Sequence, residues 1–132
     1  MATRWTHVVL KVADLDRSIA FYERFCALDV VRDGRIDGGH TVWLAPRTGD
    51  EPPEFVLVLY LHAANGRIDH LGFQCDTRDE VDAVAAEAHR LGIVIEPPFD
   101  GGGDIGYVTQ IRDPDGHVVE FTFGQPIAGL GR

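Results

Sequence analysis

The sequence predicts an α+β chain made of two tandem βαβββ units, and three observations point there. Apolar and polar residues alternate at strand spacing in THVVLKV, DHLGFQC and HVVEFTF. Two other segments, near 15–27 and 78–91, carry apolar residues at helical spacing. A shift of 63 positions lays the first half on the second, pairing His7 with His70, Leu10 with Phe73, Val12 with Cys75, Leu28 with Leu91 and Val30 with Ile93. The expected organisation is one domain over 1–132, with unit one at about 4–62, unit two at about 67–124 and a C-terminal tail at 125–132.

In unit one a strand at 6–12 runs into a helix at about 15–27, where Asp14 or Asp16 supplies the N-cap and Ile19, Tyr22 and Phe25 recur on one side. Strands at about 28–33, 40–45 and 54–61 follow. In unit two a strand at 69–75 precedes a capping box, Thr77 with Glu80. The helix at 78–91 then presents Val81, Val84, Ala85, Ala88 and Leu91 on one face and stops at Gly92. Strands at 93–96, 106–112 and 117–123 complete the unit.

The connections are rich in turn residues. PRTGDEPPE (46–54) and PPFDGGGD (97–104) read as loops, and Gly101 to Gly103 with Asp104 suggest a mobile flap. DPDG (113–116) reads as a tight turn, with Pro114 fixing φ and Gly116 tolerating a positive one. The tail QPIAGLGR has no periodicity and is expected to be loose or packed on a partner.

With 132 residues, 45% hydrophobic and 25% charged, the chain has the composition of an ordinary globular domain. A formal net charge of -9 argues against nucleic acid and anionic membranes as partners, since both favour clustered Lys and Arg. No apolar run approaches the roughly 18 residues that span a bilayer, and MATRWTHVV lacks a signal peptide's apolar segment, so a cytoplasmic location is expected. Cys26 and Cys75 lack paired-thiol spacing and are expected to be two buried free thiols.

The residues that carry chemistry are His7, His70 and Glu120, each set inside one of the alternating runs. Two imidazoles and one carboxylate can hold a divalent metal and leave coordination positions open for substrate, water or oxygen. A strand histidine alone is commonly structural. Here His7 and His70 occupy equivalent places in two copies of one unit, and Glu120 puts a carboxylate into a strand expected to be buried. The bland alternative is a resting His–Glu ion pair. His40 opens a strand and is a weaker candidate for contacting substrate, while His62, His89 and His117 are weaker still. Trp43, Phe55, Tyr60, Phe99, Tyr107 and Phe121 lie on or near strands expected to wall a cavity.

The runs THVVLKVADLDRSIAFYERFCAL, DHLGFQCDTRDEVDAVAAEAHRLG and DPDGHVVEF, in this duplicated arrangement, resemble the vicinal oxygen chelate superfamily. That superfamily includes glyoxalase I, extradiol dioxygenases, fosfomycin-resistance transferases, methylmalonyl-CoA epimerase and bleomycin-resistance proteins. The resemblance implies curved mixed sheets that form a cavity, with His7, His70 and Glu120 as metal ligands. It also implies a small-molecule substrate and a homodimer whose sites are shared between subunits.

Set against particular family members, the residues depart in several places. The strand FVLVLYL (55–61) has no carboxylate or amide where glyoxalase I and the epimerase add a fourth ligand, and Glu54 lies only at its edge. Gln110 stands where extradiol dioxygenases usually carry a tyrosine, and Tyr107 is displaced by three residues to the opposite face. FTFGQP lacks the arginine of the fosfomycin enzymes, so an anionic substrate is expected to find few counter-charges besides the metal. The expected function is a divalent-metal-dependent enzyme, dioxygenase-like or lyase/isomerase-like, acting on a substrate that chelates through vicinal oxygens. Fe2+ is slightly favoured, with Mn2+, Zn2+, Ni2+ and Mg2+ open. The alternative is a metal-free, bleomycin-resistance-type binding protein.

Overall fold

The structure is a computed structural model that describes residues 3–47, 49–112, 114 and 116–127. The expected α+β class holds: among the described residues two helices and eight strands alternate as strand, helix, three strands, repeated. The chain divides into two compact units, one of residues 7–69 and one of residues up to Thr6 together with those from His70 onward. Strand β1 (Thr3–Val12) contributes to both, its first residues to the second unit and the rest to the first.

In the unit of residues 7–69, β1 leads to α1 (Leu15–Cys26), β2 (Asp29–Asp33), β3 (Thr41–Ala45) and β4 (Val56–Leu61), in the lateral order β2-β3-β4-β1. β1 and β4 run parallel and the other pairs antiparallel. Asp14 is the N-cap of α1, its side chain accepting from Arg17 N at 3.0 Å. The helix ends at Ala27 with φ 55°, a left-handed conformation that gives no glycine signal to read in sequence. One turn of 3-10 helix, Gly34–Asp37, was not anticipated; Asp33 caps it and holds Arg35 through both carboxylate oxygens. Leu15 and Ile19 of α1 bury themselves against Val42, Leu44 and Leu59, with Leu10, Val12 and Leu57 packed alongside. Each such fully buried aliphatic side chain contributes about 1.5–3 kcal/mol.

In the second unit, β5 (Ile68–Cys75) leads to α2 (Arg78–Leu91), β6 (Val94–Asp100), β7 (Tyr107–Arg112) and β8 (Val118–Phe123), in the lateral order β5-β8-β7-β6. β5 and β8 are parallel, β8 with β7 and β7 with β6 antiparallel. The capping box forms as expected, Thr77 Oγ1 accepting from Glu80 N at 3.2 Å, and Gly92 closes the helix at φ 71°. β6 runs further than expected, taking in Pro97, Pro98, Phe99 and Asp100 from the segment read as a loop. Two features admit the prolines: β6 is the last strand of the order, and its register shifts between Glu96 and Phe99, so missing N–H groups break no ladder bond there.

The Gly101–Gly103 segment differs from the expected free flap. Gly101 N donates to Gly106 O at 2.7 Å, Gly102 N to Asp100 Oδ1 at 2.9 Å, and Arg78 pairs with Asp100 at 2.6 Å. Gly106, at φ 75°, is required, because a Cβ there would stand 2.5 Å from Phe123 O. The tail is also tied down as far as it is described. Gln74, fully buried, donates from Nε2 to Ile127 O at 2.6 Å and accepts from Gln125 N at 2.7 Å; Ile127 is itself buried. Asp113 and Asp115 of the expected turn, Thr48 of the first loop and the tail beyond Ile127 lie outside the described residues. None of the described helices is long and apolar enough to cross a membrane.

The two thiols differ, which corrects the expectation that both are buried: Cys75 is buried and Cys26 is exposed at the end of α1. Burial pushes the Cys75 thiol up to about 11, helped by the negative charges of Glu80 and Asp76.

Two outcomes follow. Gln74→Met leaves Gln125 N–H and Ile127 C=O buried without their partner, and is expected to lower the unfolding free energy by about 2 kcal/mol or more in urea denaturation; an unchanged midpoint would contradict the clamp. At pH 8 one thiol per native chain, Cys26, should react with a chromogenic disulfide, and two after denaturation. An unfolded thiol ionises near the ordinary 9.0 and the folded Cys75 only near 11. Its contribution to stability is therefore complete below the ordinary value and lost as pH rises toward the folded one.

Candidate metal centre

In the unit of residues 7–69, the packing of α1 decides which way β1 faces. Leu10 and Val12 lie against the helix cluster, so His7, Val9 and Lys11, at the alternate positions, occupy the opposite face. His7 is 3% exposed and sits opposite Val56 in the parallel pairing with β4. The same face of β4 carries Val58 and Tyr60, and Trp43 of β3 is the register partner of Val58. Arg32 pairs with Trp43 and places its guanidinium 5.5 Å from the indole ring. Lys11 bridges to Asp69 at 3.4 Å.

Lys11 and Arg32 share a sheet face with His7, Lys11 held by Asp69 and Arg32 set over the Trp43 ring. The alternation of β1 alone would have revealed Lys11. Arg32 depends on a register shift between Val30 and Arg32 that sequence does not disclose. As the sequence indicated, β4 supplies no carboxylate or amide, and Glu54 lies outside it, exposed. His40 belongs elsewhere: with Ala13, Leu61, His62, Ala63 and Asn65 it lines a separate cavity of about 310 Å³.

In the second unit, α2 plays the part that α1 plays in the first. Tyr107 Oη donates to Asp82 of α2 at 2.5 Å, and Ile111 lines an apolar groove with Ala88 and Leu91. Tyr107, Thr109 and Ile111 therefore face the helix, and Gln110, between them, faces away. Gln110 stands directly opposite Glu120. In the parallel pairing Gly72 is opposite Glu120, which brings His70, two residues earlier on the same face of β5, beside it. His70 Nε2 lies 3.4 Å from Glu120 Oε2, and the same oxygen accepts from Gln110 Nε2 at 3.2 Å. Glu120 is 7% exposed and His70 half-buried.

Phe121 pairs with Thr109 and stacks on Phe73 at 5.7 Å, so it and Tyr107 lie on the helix side, not on the face that carries Glu120. That placement follows from their odd spacing relative to Glu120 and Gln110. The bond to Asp82 pushes the Tyr107 phenol up from its usual value. Phe99 and Phe55 are exposed, as are His89 and His117. Sequence reasoning noted Gln110 only as a missing tyrosine. Its contact with Glu120 comes from the β7–β8 register.

The donor set suits a divalent cation. Two ligand atoms each about 2.1 Å from one tetrahedral ion stand about 3.4 Å apart, which is the separation of His70 Nε2 and Glu120 Oε2. Of the polar side chains placed on this face of the unit, Gln74, Gln110 and Thr122 carry neutral groups, which leaves the imidazole of His70 and the carboxylate of Glu120 as donors for a divalent ion.

The model of the Glyoxalase/Bleomycin resistance protein/Dioxygenase superfamily matches residues 4–121. An uncharacterised protein of Pseudomonas aeruginosa is 36% identical, with 96% of this chain and 93% of that one covered. A probable lactoylglutathione lyase of Vibrio cholerae is 28% identical, covering 89% of this chain and 88% of its own. A putative lactoylglutathione lyase of Brassica oleracea var. gemmifera is 32% identical over 89% of this chain, which spans only 43% of the plant protein. Among solved structures, homoprotocatechuate 2,3-dioxygenase from Arthrobacter globiformis matches with a TM-score of 0.72 and 26% identity, over 90% of this chain and 35% of the dioxygenase. A methylmalonyl-CoA epimerase matches in fold, with a TM-score of 0.69 and 22% identity over 92% of this chain and 94% of its own.

Proposed function

The chain belongs to the Glyoxalase/Bleomycin resistance protein/Dioxygenase superfamily, and from that membership we propose that it is a divalent-metal-dependent enzyme. His7, His70 and Glu120 hold the ion, and the substrate is a small molecule that chelates it through vicinal oxygens. The observation that carries the reading is the 3.4 Å spacing of His70 Nε2 and Glu120 Oε2. Two ligands of one tetrahedral ion, each about 2.1 Å from it, stand at this distance.

Three observations support His7 as the third ligand. It is equivalent to His70 in the repeat, it is buried, and it projects from the face of its unit turned away from the helix, as His70 does in the other.

Two imidazoles and a carboxylate suit Fe2+, Mn2+, Zn2+, Ni2+ or Mg2+, with Fe2+ slightly favoured if oxygen is a co-substrate. A bound divalent ion would withdraw electron density from the chelating oxygens and stabilise negative charge that develops on them. The rest falls to the chain. Gln110 holds Glu120 through Oε2, and no acid stands at position 110 to deliver a proton. That favours lyase- or isomerase-like chemistry over ring cleavage, in keeping with the names of the Vibrio and Brassica relatives. The partner is a second copy of the chain, for which Phe21 and Phe25, 52% and 67% exposed on α1, offer apolar surface.

Elemental analysis of protein purified without chelator or nickel resin should find one metal per chain. His7→Ala and Glu120→Ala should each lose it while keeping the far-UV circular dichroism of the parent; full occupancy in both variants overturns the ligand assignment. If the parent takes up none of Fe2+, Mn2+, Zn2+ or Ni2+, the metal-free binding protein becomes the reading. Light scattering should report the mass of two chains, and a monomer would remove the shared-site dimer.

A further inference from the structure

We propose that Gln110 is a positioning residue for Glu120, and that through this carboxylate it sets how tightly and in what geometry the chain takes a divalent ion. The inference rests on the metal reading above. Gln110 and Glu120 are direct cross-strand partners in the antiparallel β7–β8 pair, so their side chains leave the same face next to each other. Val108 and Thr109, which precede Gln110, are fully buried, and β7 is bonded on both sides, so its backbone is held in place.

The contact falls on the oxygen that matters. Gln110 Nε2 donates to Glu120 Oε2 at 3.2 Å, and Oε2 is also the atom 3.4 Å from His70 Nε2. Charge fixes which end of the amide faces inward, because the carbonyl oxygen turned toward an ionised carboxylate would oppose acceptor to acceptor. The terminal torsion of a glutamate is soft, so one donor on Oε2 selects the carboxylate plane that points this oxygen toward His70.

An amide suits the task for a second reason. Arginine or lysine opposite Glu120 would neutralise the carboxylate and compete with a cation for it. Glutamine orients the group and leaves its full negative charge for the ion. Hydrogen-bond partners of ligating carboxylates typically govern 10- to 100-fold in metal affinity.

The test is a titration of Co2+ into the full chain, read by visible d–d absorption, for the parent, Gln110→Met, Gln110→Asn and Glu120→Ala, with thermal unfolding of each metal-free protein alongside. Gln110→Met keeps the length and loses the donor. It should bind Co2+ about 10-fold more weakly with a changed band shape, and its metal-free form should still unfold cooperatively, at a lower temperature because Glu120 loses one hydrogen-bond partner. A merely structural role would leave the band shape alone. Equal affinity with a superimposable spectrum in Gln110→Met overturns the inference, and loss of binding in Glu120→Ala would leave the metal site standing. No uptake by the parent overturns both. Should Gln110→Met fail to fold, Gln110→Asn, whose amide stops one methylene short, carries the test: the same weakening supports the role, and parental affinity refutes it.

Discussion

The two-residue period of the β-strand is the constraint on which the rest of this structure depends. Once one set of alternate side chains is committed to a helix, the other set has no choice of face. Leu10 and Val12 packed against α1 commit His7, and Tyr107 and Ile111 set toward α2 commit Gln110 and its cross-strand partner Glu120. A slip of one residue in either sheet would turn the imidazole or the carboxylate toward the helix and put an aliphatic side chain in its place. The caps at Asp14 and Thr77 matter for this reason, because they fix where each helix starts above its sheet.

Burying polar groups on those outward faces has to be offset locally, and the second unit does so in two ways. Gln74 bonds backbone at both ends of its amide, Ile127 O and Gln125 N, so one buried side chain ties down two points after β8, and Gln125 Nε2 adds a bond to Ile105 O at 2.9 Å. Glu120 is a harder case, since desolvating a carboxylate costs several kcal/mol unless charge and hydrogen bonds compensate. It receives a neutral amide from Gln110 and an imidazole nitrogen from His70. A rigid clamp and a charged, ligand-ready group thus occupy neighbouring strands of one face. The first secures the chain while the second keeps its charge available.

Family membership settles the fold and leaves the chemistry to particular residues. The aliphatic run of β4, which offers no fourth ligand, and Gln110, which cannot deliver a proton, are where this chain departs from glyoxalase I and from the ring-cleaving enzymes. Lys11, paired with Asp69, and Arg32, over the Trp43 ring, lie on the same sheet face as His7.

By itself the sequence determined the order of elements, both helix starts, the glycine that ends α2, the repeat, and the identity of the candidate ligands. These are local matters: period, capping chemistry and self-similarity are all written within a few residues of one another. Tertiary structure alone decided the rest. The course of β6 through Pro97 and Pro98 depends on its being an edge strand with a shifted register, and the seat of Gln125 and Ile127 depends on a partner 51 or 53 residues away. The left-handed end of α1 falls on Ala27, where no residue type announces it. The pairing of Gln110 with Glu120 was likewise invisible, because it comes from which residues of two antiparallel strands stand opposite each other. Register of that kind is set by the whole sheet packing on its helix, and no stretch of sequence states it.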